Sequence, residues 1–72
     1  MKVTTFEKLM VQEILRSTDV TDTSFLRAAI RAIGRKFETG TLDVPGVMSE
    51  IDRLLPWQLG RDIKKSIEKA LR

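Results

Sequence analysis

Apolar residues recur along this chain at three- and four-residue intervals, the period of an amphipathic α-helix. Phe6, Leu9, Met10 and Ile14 make the first stripe, which predicts a helix from about Thr5 to Arg16. Thr4 and Glu7 stand at the spacing of a capping box, in which hydroxyl and carboxylate satisfy the first unpaired backbone N–H groups. The polar run STDVTDTS then breaks the pattern. A second stripe, through Phe25, Leu26, Ala29, Ile30, Ile33 and Phe37, predicts a central helix over about Asp22 to Glu38. Thr21 is its expected cap, with Val20 and Phe25 placed as a hydrophobic staple. Ala28, Ala32 and Gly34 flank the arc, where small side chains allow another helix to approach. A glycine inside a helix costs about 1 kcal/mol against alanine, so Gly34 is an alternative end. Gly40, in the loop TGTLDVPG, is the preferred stop.

Asp43 can cap a third helix and Pro45 fits its first turn, where a missing N–H does no harm. Val47, Met48, Ile51, Leu54 and Leu55 fall on one side of that helix, with Ser49, Glu50, Asp52 and Arg53 on the other. Pro56 disfavours continuation through Leu55 and is the expected start of a fourth helix. This last helix is expected to bury Leu59, Ile63, Ile67, Ala70 and Leu71. Val11, Leu42 and Val44 are harder to place in one small core. The sole strand alternative is a weak one at Met1 to Phe6. The class read from the pattern is all-α, a compact single domain over residues 1–72 built of about four short helices.

Composition narrows the chemistry. In 72 residues there is no cysteine and no histidine, hence no disulfide, no thiolate zinc site and none of the commonest metal ligand. Without histidine or cysteine the usual nucleophile and base pairs are missing. Glu50 and Asp52 lie two apart on a helix and do not face each other as an acid and base would. Asp43, Glu50 and Asp52 lack the alternation and turn glycine of a calcium loop. The four glycines form no phosphate loop. The expectation is a protein that is not an enzyme, with no catalytic residues, metal or cofactor. Glu7, Lys8, Gln12 and Glu13 interrupt any signal-peptide core, and no run reaches the length of a membrane span. The expected compartment is therefore the cytoplasm, with no membrane partner.

The net charge of +3 permits acidic partners without demanding them. Arg27, Arg31 and Arg35 recur every fourth residue on the second helix, a row of forked donors suited to carboxylates or phosphates. Glu38 is expected beside Arg35 as an i,i+3 pair, which would partly neutralise the row. A merely solvated face is the competing reading. Trp57, the single tryptophan, sits at a helix junction as either a core plug or an apolar anchor for a partner. Arg61, Lys64, Lys65 and Lys69 on the fourth helix are candidate phosphate contacts, interleaved with Asp62 and Glu68. The junction LLPW is the tightest candidate for a helix-turn-helix, although the segment PWQLGRDIKK lacks the cluster of base-reading side chains.

The expected function is a small non-enzymatic regulatory or adaptor protein, of the kind found among bacterial and phage regulators. It would dock onto another protein with an acidic surface patch, using Arg27, Arg31, Arg35 and Trp57, with a homo-oligomer as an option. The alternative is a small basic nucleic-acid-binding protein that contacts phosphates through helices two and four.

Overall fold

The computed structural model describes residues 2–56 and 58–72. Among them are four α-helices and no strand: α1 (Val3–Ser17), α2 (Ser24–Glu38), α3 (Val44–Leu54) and α4 (Arg61–Leu71). The fold is all-α, and the segment read as a weak strand alternative is helical from Val3.

The helix starts show how local and distant partners divide the capping. Asp43 caps α3, its carboxylate accepting the Gly46 N–H at 2.8 Å, with Pro45 in the first turn. In α2 the cap is Thr23 rather than Thr21, its hydroxyl accepting the Leu26 N–H at 3.1 Å. That shift of two residues changes the staple. The flanking positions become Asp22 and Arg27, an ion pair, and Phe25 turns outward to 77% exposure. α1 has no side-chain cap of its own, and Thr4 lies within the helix. The expected capping box is absent because the helix starts before Thr4, with Lys2 at the cap position, and the Glu7 carboxylate binds Arg31. Glu38 of α2 supplies the substitute, accepting the Val3 N–H at 3.1 Å, so its expected pairing with Arg35 does not form.

The stops are local. Gly40 takes a φ of 80°, the left-handed conformation that glycine adopts without a Cβ clash. Around it the Gly40 N–H donates to the Phe37 carbonyl at 3.2 Å and the Thr41 N–H to Lys36 at 2.8 Å, a Schellman motif closing α2. Leu55 ends α3 with a φ of −128° and a ψ of 64°, away from helical values as a residue before proline prefers. α4 does not begin at Pro56 as expected but at Arg61, after Gly60. Leu59 thus reaches the core from the connection, beside Leu55, and Ala70 is exposed rather than buried. With residues 55–60 between α3 and α4, the spacing is longer than the three or four residues of a helix-turn-helix.

α1 and α2 form an antiparallel pair, with Val3 beside Glu38 at one end and Glu7 beside Arg31 further along. α2 packs on α3, α3 on α4 and α4 back on α1, while no Cα of α2 comes within 8 Å of one in α4, nor of α1 within 8 Å of one in α3. The helices therefore form a ring around one core. Phe6, Met10, Ile14, Ile30, Val47, Ile51 and Ile67 are its fully buried centre. Val11 is also buried, and Leu42 and Val44 pack against the core from half-buried positions, which settles where these three belong. Gly34 lies inside α2 against the Phe6 ring; a Cβ there would stand 2.7 Å from Phe6 Cδ1.

Candidate docking surface

The three arginines of α2 do not share one environment. At about 100° per residue, each four-residue step advances the row by about 40° around the helix. It starts at the α1 seam and ends toward solvent. Arg27 chelates Asp22, with Nε to Oδ1 at 2.8 Å and Nη2 to Oδ2 at 2.7 Å. Arg31 chelates Glu7 of α1, with Nε to Oε2 at 3.0 Å and Nη2 to Oε1 at 3.1 Å. Both guanidiniums remain accessible, at 44% and 47% side-chain exposure, whereas the Glu7 side chain is only 12% exposed. The hydrogen bonds from Arg31 hold the Glu7 carboxyl below its ordinary range, against a desolvation that would raise it. Asp22 is lowered in the same way, mainly by the hydrogen bonds from Arg27. Both arginines are correspondingly raised.

Arg35 and its neighbour Lys36 are exposed, and no ion pair engages either among the described residues. Beside this row runs an outer seam of α2 formed by Phe25, Ala28, Ala29 and Ala32, at i, i+3, i+4 and i+7. Phe25, Ala28 and Ala32 are exposed and Ala29 is half-buried. Phe25 is the large apolar side chain left exposed among the described residues. Next to the seam, Ala29, Ala32 and Lys36 face Arg53 and Leu54 of α3 across a shallow groove. The spacing had placed Phe25 in the core; the clue to its true position was the capping choice between Thr21 and Thr23.

The basic residues of α4 divide similarly. Lys64 pairs with Asp52 of α3 at 3.0 Å and Arg72 with Glu68 at 2.6 Å. Arg61, Lys65 and Lys69 are exposed in four-residue steps and have no ion-pair partner among the described residues. Since α2 and α4 lie across the ring, with no Cα pair within 8 Å, the two basic rows do not belong to one helix-helix seam. Trp57, the fourth candidate contact, lies outside the described residues.

Among the described residues no group of three or more carboxylates gathers as a metal site would require, and no helix is long and apolar enough to cross a membrane. A shallow cleft beside the Glu7–Arg31 pair is lined by Thr4, Thr5, Glu7, Lys8 and Arg27, so it holds a single carboxylate. Comparison with family models, curated proteins and solved structures finds no match to this chain.

Proposed function

We propose that this protein is a non-enzymatic regulator or adaptor that docks through the outer side of α2 onto a protein with an acidic surface patch, in the cytoplasm. The observation that carries the reading is the pairing of an exposed apolar seam at Phe25 with an arginine row on the same helix. Apolar surface adds little to gripping a phosphate backbone, whereas aromatic and arginine side chains together are what protein interfaces concentrate. Arg27 and Arg31 are pre-oriented by their chelated carboxylates, so less side-chain entropy remains to be lost on contact. Arg35 carries the uncompensated charge and is the principal acidic-patch contact.

A second reading has its own observation. Arg61, Lys65 and Lys69 form an unpaired exposed row on α4 that suits phosphates. Affinity capture from a native-host lysate after nuclease treatment separates the two. Under the docking reading, wild-type protein retains a protein partner, Arg35→Glu loses it, and Lys65→Gln with Lys69→Gln keeps it. Circular dichroism and melting temperature should stay near wild type in all variants, because exposed charges contribute little to stability. Recovery that vanishes with nuclease and depends on Lys65 and Lys69 would replace docking with nucleic-acid binding.

A further inference from the structure

The outer seam of α2 has a shape and a charge order that match its own reverse. Reading along the helix, the bulky side chain stands at one end, Phe25, and the small ones follow at Ala28, Ala29 and Ala32. The segment leading into the helix carries Asp19 and Asp22, both exposed, and the far end carries exposed Arg35 and Lys36. Asp22 is already held by Arg27, but a carboxylate has lone pairs enough for a further donor. Asp19, Arg35 and Lys36 have no ion-pair partner among the described residues.

We propose that a second copy of this chain covers the seam, with the two α2 helices antiparallel about a two-fold axis. In that register Phe25 of each copy meets Ala32 of the other, and the two-fold passes between Ala28 and Ala29. Each acidic end faces a basic end. A parallel pair would instead oppose Phe25 to Phe25 and basic end to basic end, so both shape and charge select the antiparallel arrangement. The contact is isologous and closes on itself, which limits the assembly to a dimer.

The pairing builds on the docking reading of α2 and extends it. A two-fold axis perpendicular to an antiparallel pair carries each flank onto the same side of the dimer. Arg27, Arg31 and Arg35 of both copies then share one face, and two modest basic rows become one broad one. The acidic partner meets the arginines and Phe25 serves the second copy, so the pairing keeps the charged part of the docking reading and takes its apolar part for the dimer.

Sedimentation equilibrium of the purified protein over a wide concentration range is the first test. Wild type should associate to a dimer, and Phe25→Asp and Ala32→Glu should each be monomeric with unchanged helicity. Because the chain has no cysteine, single-cysteine variants report the geometry without background. Ala28→Cys, near the two-fold, should form a disulfide-linked dimer under mild oxidation, and Lys36→Cys should not. Cross-linking at both positions would mean a parallel pair and overturn the proposal. A wild type that stays monomeric, or a dimer that survives Phe25→Asp, would also overturn it. Arg35 stands in both readings, so Arg35→Glu is sedimented as well: a captured partner lost from a variant that still dimerises supports docking apart from the pairing, and a partner kept by such a variant overturns docking while leaving the pairing intact. A monomer whose Phe25→Asp variant loses a captured partner would assign the seam to that other protein.

Discussion

The carboxylate of Glu7 has two claims on it, and the distant one wins. Thr4 and Glu7 are spaced to cap their own helix, yet Glu7 takes two of the five N–H donors of Arg31, 24 residues away. A nearly buried carboxylate facing a guanidinium fork gains a bidentate pair there, which a single backbone N–H does not offer. The pair makes stability depend on acid. The folded protein holds Glu7 below its ordinary value of 4.5, so the unfolded chain takes up the proton more readily. Its contribution is full above that value and is lost as pH falls through the lower folded one. Asp22 behaves alike, from an ordinary 3.8. Glu7→Gln should therefore melt lower than wild type at neutral pH and lose stability less steeply on acidification below about pH 4.5. Thermal melts across pH check this; parallel acid limbs for the two proteins would remove Glu7 from the acid response. None of this was legible in the sequence, since hydrophobic period and cap spacing carry no information about which distant helix a charge will face. Glu38 makes the same point: its neighbour Arg35 lay three residues away, and its bond went to Val3.

At the scale of elements, local signals were read correctly where they had no competitor. Asp43, Pro45 and Gly40 set the start of α3 and the stop of α2 as their chemistry dictates. The starts of α2 and α4 shifted because several candidate caps stood in a row, and because Leu59 is buried from the connection before α4 begins. Misplacing the α2 cap by two residues was enough to hide Phe25, the main apolar residue of the candidate site. The α1–α2 contact supplies a test in which propensity and packing disagree. Replacing Gly34 by alanine should gain about 1 kcal/mol of helix propensity. The new Cβ would stand 2.7 Å from Phe6, a fully buried ring that also packs on Phe37 at 5.9 Å and has little room to retreat. Overpacking of this kind costs about 1–3 kcal/mol. Gly34→Ala should thus be less stable by about 1 kcal/mol, the balance of those two effects, as a lower urea midpoint with unchanged slope. A higher midpoint would show that the two helices separate at little cost.

For the molecule as a whole, the number of helices, their class and most of the core were legible because each helix has a clear apolar side. The division of the basic surface was not: that α2 and α4 are non-adjacent in the ring follows from tertiary packing alone. The ring also has an unequal pair at its origin. α2 carries its own start signal at Thr23 and its own stop at Gly40, whereas the first N–H of α1 is held by Glu38 of the neighbouring helix. Helices of about 15 residues are marginal in isolation, so such terminal signals decide whether one persists alone. The order of folding follows: α2 is the element able to nucleate, and α1 gains its first turn only once α2 is formed. Peptides covering 20–42 and 2–18 should differ accordingly in circular dichroism, the first retaining measurable helix and the second little. Equal helicity would deny α2 that lead. Where α1 begins is then a property of the hairpin, acquired late, and its first turn should be the first to be lost whenever the chain opens.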